Sequence, residues 1–446
     1  MDTLTIPQGR TLPVVGDLYR LLFEDGIAYF QGLQRRFGAI TRFKLGPINA
    51  ILVTDPDLVG KVLGRDVRTY KKGIHFDTTR LFLGNGLFVS EGKDWRKHRR
   101  MLNPKFTTKE VLNYAETVSI VTHDTVDQWV KRKGEPFHMD REMGHLAMNI
   151  ILASMFGPGE IKDEAYGDAV RYCLDFVMAR GRNPFALPLS VPLPSHKKFQ
   201  AARKLLEDLL QESIVKIKAR GDDRPSLIND LLTAKDEEDE SYRMSDRQVI
   251  DELLTVFLAG HETTALAMSW TWYLLNENPK VKAKVAAEIE RVTGGEPVTP
   301  AHIPELTYVA QVAQEVLRLY PPVGFYPRQS LVDQKLGPYE VKAGEHIMLA
   351  PYVTHRLPEY WERPDEFDPD RFEKSRADAQ HPFAFFPFGK GRRICLGQHF
   401  AMMEMVLAIS VVMQRVDLEL VTENVKPKFV ATLRPSELRM KATPKA

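Results

Sequence analysis

Cysteine is nearly missing from this chain: Cys173 and Cys395 are the two in 446 residues. They are too few for a disulfide framework, and such usage fits a reducing compartment, so a cytoplasmic location is expected. No C-x-x-C pair is present, which argues against a structural zinc site or a c-type haem attachment. Charge of one sign is not in excess either. Lys and Arg number 61 against 59 Asp and Glu, and a net charge of +2 exerts no general pull on nucleic acid. No apolar run reaches the ~18 residues that suggest a membrane span. The most apolar stretch, residues 253–275, is interrupted by Gly260, His261 and Glu262 and reads as a buried helix. The first residues lack a basic segment followed by an apolar one, so no signal peptide is expected. Contact of an amphipathic patch with a membrane surface stays open. No repeat period and no clean linker divide the chain, and a single domain over 1–446 is expected.

What is there is the composition of a globular protein, 43% hydrophobic and 27% charged, in a mainly α pattern with a small β portion. Residues 1–70 mix turns with strand-like runs such as "AILVTDP". Residues 245–278 are the longest helix expected, opened by the capping-box pair Ser245 and Gln248 and closed before Pro279. "TYVAQVAQEVLRLY" is a second helix that stops at Pro321-Pro322. Strand-like pieces follow, then a long irregular stretch, "THRLPEYWERPDEFDPDRF". Loops of that length are usually functional or pinned by side chains.

Four clusters bear chemistry. The first is "FPFGKGRRICLGQHFA". Gly389, Gly391 and Gly397 allow a tight turn or close approach to something flat. Lys390, Arg392 and Arg393 beside Cys395, and a helix that starts just after it, favour a thiolate. That thiolate is either a nucleophile or a metal ligand; His399 stands one turn on with no obvious partner to orient it. An axial thiolate, room for a ring and cations for propionates together suit a haem. The second is "AGHETT", residues 259–264. Gly and two Thr are poor choices inside a buried helix, and a buried Glu262 needs a partner or water. The cluster reads as a local widening with Glu262 and Thr263 passing protons, or as a kink with Thr hydroxyls bonded to i−4 carbonyls.

The third is the pair Glu315 and Arg318, in an apolar helix just before Pro-Pro. With Arg371 supplying further donors, it is expected to pin the long irregular loop. The fourth is "GKDWRKHRRML". Trp95 and Arg99 share a helix face and offer an indole N–H and a guanidinium to one anion, while Arg96, Lys97 and Arg100 point elsewhere as a basic patch.

Taken together and in this order, the four resemble the motifs of cytochrome P450, a haem-thiolate monooxygenase family. Phe-x-x-Gly-x-Arg-x-Cys-x-Gly is met by Phe388, Gly391, Arg393, Cys395 and Gly397; Pro369-Asp370-Arg371-Phe372 departs mildly from Pro-Glu-Arg-Phe but keeps the arginine. The likeness runs over essentially the whole chain, and its phrasing is that of the soluble bacterial branch similar to fatty-acid hydroxylases and microsomal enzymes. The resemblance implies the mainly α P450 fold and haem b (iron protoporphyrin IX), with Cys395 as axial ligand of the iron. It implies propionate contacts from Trp95, Arg99, Arg393 and Arg328, ring packing by Phe388 and Phe400, and Gly397 and Ala259 beside the ring. Ala259 also implies that the haem is not joined to the long helix covalently. Thr263 and Glu262 would deliver protons for dioxygen reduction, and one oxygen atom would enter a substrate C–H bond. Phe82, Leu83, Phe88, Val323, Phe325, Ala431 and Thr432 would line the pocket, capped by "RGRNPFALPLSVPLPSHKK", for an apolar fatty acid, terpenoid or steroid-like substrate. With no flavin or nicotinamide domain of its own, the chain would draw electrons from a ferredoxin or flavodoxin-type donor at its basic face, as a monomer. A peroxide-driven enzyme, or a haem sensor or electron carrier without turnover, is the rival reading. An intact Glu262-Thr263 pair weighs against the first, and a capped pocket would be idle in the second.

Overall fold

The computed structural model describes residues 4–445 apart from 10, 13–15, 18, 21–25, 47, 74, 158–163, 184–185, 222–224, 240 and 430–431. The strand-like runs of the first seventy residues become β1 (Ile40–Leu45), β2 (Ile48–Val53) and β3 (Tyr70–Lys72). Later strands are β4 (Tyr326–Ser330), β5 (Gln334–Leu336), β6 (Tyr339–Val341), β7 (His346–Leu349), β8 (Pro427–Phe429) and β9 (Leu433–Pro435). A five-stranded sheet takes the order β1-β2-β7-β4-β3, so residues near the N-terminus pair with residues almost three hundred positions away. In the antiparallel β3–β4 pair Lys72 stands opposite Arg328. Separate hairpins pair β5 with β6 and β8 with β9.

Helices make up the rest of what positions the site: α1 (His75–Leu83), α2 (Gly92–Leu102), α3 (Ala115–Lys131), α4 (Met139–Phe156), α5 (Pro194–Arg220), α6 (Asp246–Glu277), α7 (Thr307–Leu319) and α8 (Gln398–Arg415). Helix α6 starts on the capping box expected from the sequence: Gln248 N–H donates to Ser245 Oγ, and Ser245 N–H to the Gln248 side chain at 2.9 Å. Most of α6 is buried, as its all-round apolar sequence requires, and it packs on α4, α7 and α8 in the largest core cluster. It runs unbroken through residues 259–264. The Thr255, Thr263, Ser269 and Thr271 hydroxyls each donate to the carbonyl four residues back, which satisfies them without interrupting the helix. Helix α5 ends at Gly221, whose φ of 60° is the left-handed C-cap that glycine adopts at least cost.

Candidate active site

The cysteine loop is built by glycine. Gly389 and Gly391 have φ of 71° and 68°, and a Cβ on Gly391 would lie 2.2 Å from the Leu63 carbonyl oxygen, so no other residue fits there. Cys395 N–H donates to the Phe388 carbonyl at 2.8 Å and Ile394 N–H to that of Gly391 at 3.1 Å, and Gly397 caps α8. Cys395 lies deep within the protein yet is accessible, because it opens onto a cavity of ≈ 250 Å³ that is also lined by Arg99, Phe106, Thr108 and His399. Burial pushes the thiol up, opposed by the Gly397 N–H and the Arg99 charge. The expectation that Lys390, Arg392 and Arg393 electrify the sulfur is therefore corrected. Arg393 is turned away into a bidentate pair with Glu91 at 2.6 and 2.8 Å, and Arg99, whose Nη1 donates to the Ile394 carbonyl at 2.6 Å, is the cation at the thiol. A bound metal ion would deprotonate the thiol outright.

Around that loop the structure gathers cations. Arg393 lies 4.9 Å from the centre of the Trp95 ring, which brings two of the expected cofactor residues together. Arg328 is buried beside them; its Nη1 donates to the Pro327 carbonyl while its Nε has no partner. Lys72, opposite it on β3, is half-buried, and this desolvation together with Arg393 and Arg328 brings its ammonium down to about 7 against the pull of Glu91. Three cations with one carboxylate leave an excess of positive charge, a poor arrangement for facing strands unless an anion completes it. A haem dianion fits both the excess and the unpaired Nε. Lys72 and Glu91 escaped sequence reasoning because "KKG" and "SEG" have no signature; only the strand pairing shows that Lys72 faces Arg328.

On α6, residues 259–263 are half-exposed although the helix is buried on both sides of them, so an opening lies against this segment. Thr263 Oγ1 donates to the Ala259 carbonyl at 2.6 Å and keeps its lone pairs free to accept. Glu262 is not solvated alone: Thr432 Oγ1 donates to its carboxylate at 2.7 Å, and Arg434 of β9 pairs with the same oxygen. His261 is held neutral by burial, down to about 4.

The lining residues separate into two kinds. Phe88 is 39% exposed and tilts against Phe76 with ring centroids 5.1 Å apart, and Val323 is half-buried. Phe82 and Leu83 are fully enclosed in the main core, and Phe325 packs between Phe30 and Phe429 at 4.5 and 4.9 Å. Thr432 is buried on Glu262, and Ala431 lies outside the described residues. Phe388 and Phe400 are half-buried, the latter 5.9 Å from Tyr114.

Glu315 and Arg318 form a fully buried bidentate pair at 2.6 and 2.7 Å. The remaining Arg318 donors reach the carbonyls of His355, Pro364 and Glu366, and Glu315 accepts Asp368 N–H and an ion pair from Arg371 at 3.4 Å. The irregular stretch is thus tied to α7 by its own backbone. The basic patch expected on α2 is partly neutralised: Arg100 pairs with Asp236 at 2.6 Å and with Glu238 at 2.9 Å, while Lys97 keeps its charge over the Tyr242 ring. Arg96 and Arg392 remain exposed.

A profile of the family described as Cytochrome P450 matches residues 6–442. The chain is 32% identical over 441 residues to a protein named cyclooctatin synthase from Streptomyces melanosporofaciens, covering 97% of this chain and 94% of that one. It is 32% identical to a cyclooctat-9-en-7-ol 5-monooxygenase of the same organism (85% and 82% covered) and 27% identical to a pentalenene oxygenase of Streptomyces avermitilis (97% and 96% covered). A crystal structure of the cytochrome P450DA heme domain superposes with a TM-score of 0.92 at 26% identity, covering 100% of this chain and 98% of that chain. Among the described residues no helix is long and apolar enough to cross a membrane.

Proposed function

This chain belongs to the cytochrome P450 family and is a haem-dependent monooxygenase of an apolar substrate; from that premise we propose that its substrate is a cyclic terpenoid, and that the residues gathered above carry the reaction. The overall change is RH + O2 + 2 e⁻ + 2 H⁺ → ROH + H2O, with the electrons drawn from a ferredoxin or flavodoxin-type donor. Haem b bound here supplies dioxygen activation and the electron push of a thiolate ligand. Cys395 is the residue that would ligate it, and Arg328, Arg393 and Trp95 would receive its propionates. The observation that carries this assignment is the buried, unpaired Arg328 Nε within a cluster of excess positive charge.

The chain's own groups then act on protons and geometry. Thr263, donating to Ala259, presents its hydroxyl oxygen as an acceptor at the half-exposed segment of α6. Glu262, reached by Arg434 at the half-exposed end of its ion pair, supplies protons from solvent. The apolar residues around Phe88 exclude water and hold a hydrocarbon. The terpenoid reading is supported by the relatives named for cyclooctatin and pentalenene chemistry. A panel of sesquiterpenes, diterpenes and fatty acids, scored by the substrate-induced spin-state shift and then by turnover with a surrogate ferredoxin couple, tests it. Terpenes should bind tighter than fatty acids; the reverse order would overturn the substrate class. For the ligand assignment, Cys395→Ala should abolish the thiolate-type spectrum of the reduced carbonyl adduct.

A further inference from the structure

Residues 84–90 form the loop that carries Phe88, and ionic side chains hold it from two sides. On one side its N–H groups donate into carboxylates of α6, Asn85 to Asp251 Oδ2 at 2.8 Å and Leu87 to Glu252 Oε2 at 2.9 Å. Asp251 is anchored in turn by Arg247 at 2.8 Å, and Glu252 Oε1 lies 2.8 Å from His98 Nδ1 of α2. On the other side the Lys72 ammonium donates to the carbonyls of Leu87, Phe88 and Ser90 at 2.9, 2.6 and 3.1 Å. An ammonium has three donors, so Lys72 spends all of them on this one loop. It differs in this from Arg328, which keeps an unpaired Nε. Glycine permits the close approach: a Cβ on Gly86 would lie 2.1 Å from Thr255 Oγ1.

Phe88 sits in the middle of that grip. Its neighbours Leu87 and Val89 are 8% and 1% exposed while Phe88 itself is 39% exposed. Glu252, Val256, Ala259 and Thr263 recur at helical spacing and share one face of α6. The loop therefore meets α6 on the face that leads to residues 259–263, and Phe88, tilted against Phe76 of α1, is its one large exposed apolar side chain.

We propose that Lys72 and Glu252 are positioning residues: by gripping the carbonyl and N–H sides of residues 87–90 they aim the Phe88 ring across the pocket and so decide which C–H bond of a bound hydrocarbon reacts. The proposal rests on the monooxygenase reading and deepens it. Charges taken out of water are costly unless partnered, and here the partners are backbone groups of the short loop that carries Phe88: the carbonyls of Leu87, Phe88 and Ser90 and the N–H of Leu87.

The test uses the haem-loaded full chain and two azole probes that report on the pocket without turnover, 1-phenylimidazole and imidazole, each titrated by its optical shift. Imidazole is too small to need the Phe88 ring. Lys72→Met should change the ratio of the two Kd values by about threefold or more, as expected for contacts that are coupled. Lys72→Arg should restore much of the ratio, and Glu252→Leu should act like Lys72→Met. In a Phe88→Ala background neither Lys72→Met nor Glu252→Leu should change the ratio further, because nothing remains to be aimed. The same shift persisting beside Phe88→Ala would overturn the proposal, and so would an unchanged ratio in a haem-replete Lys72→Met protein. If Lys72→Met fails to take up haem, Glu252→Leu decides; an unchanged ratio there, or failure of both variants to take up haem, also overturns it. Failure of the monooxygenase reading looks different: the wild-type reduced carbonyl adduct would lack the thiolate-type spectrum.

Discussion

His355 accepts the N–H of Phe386 through Nε2 at 3.0 Å, and its other ring nitrogen, Nδ1, faces the Arg318 carbonyl at 3.2 Å. One fully buried imidazole thereby joins the α7 ion pair to the first residues of the cysteine loop. The geometry assigns the tautomer, with the proton on Nδ1.

That link predicts an acid-side weakness. Burial, with Arg318 and Arg356 nearby, holds His355 well below the ordinary histidine value. A protonated ring could not accept the Phe386 N–H, so the unfolded chain binds this proton more readily than the folded one. Stability should be fully present above about pH 6.5 and should fall by up to about 1.4 kcal/mol per unit below it, levelling off at the folded-state value. Urea denaturation of wild type and His355→Gln across that range checks this; the variant should lose the histidine share of the slope.

Glu315→Gln should be far more damaging than any exposed pair. It leaves Arg318 and Arg371 buried with a neutral partner, a loss of roughly 3–5 kcal/mol for a broken buried pair. Thermal melts should show the drop, and haem retention should fall with it because the loop to Phe386 loosens. Lys374→Ala, which breaks an exposed pair with Asp378, should leave the melt essentially unchanged.

The two cysteines should behave as opposites. Burial pushes the Cys173 thiol up to about 12, and the residue is fully enclosed. Cys173→Ala should keep the haem spectrum at a cost of about 1 kcal/mol for the space it leaves. Before haem is added, a thiol reagent should label Cys395, which opens onto the cavity, and not Cys173. Haem should protect Cys395.

Thr263→Val removes the hydroxyl but not the bulk. Its bond to Ala259 is internal to α6, so stability should change little, while the share of electrons recovered in hydroxylated product should fall about tenfold or more, up to the roughly 10²–10⁴-fold worth of a group positioned for proton transfer. Peroxide release against product formation measures it. Unaltered coupling would place the relay elsewhere.

Much of the fold and site was legible because each signal is local. The capping box at Ser245, the proline stops and the glycine spacing around Cys395 are written in neighbouring residues, and the structure realises them where they stand. The family resemblance extended this to residues in separate motifs. What stayed illegible was pairing at long range. Lys72 and Glu91 look like any charged residues in a turn, and the α2 bases looked like one patch.

The sequence by itself determined the helices, the shape of the cysteine turn and the family, because backbone preferences, apolar spacing and motif order act over short stretches. Tertiary structure alone decided which charges meet. Strand pairing set Lys72 against Arg328, while the packing of helices and loops drew Arg393 to Glu91 and Arg100 to Asp236 and left Arg99 at the sulfur. Coulomb interactions depend on distance through space and on burial, and neither is a property of position along the chain.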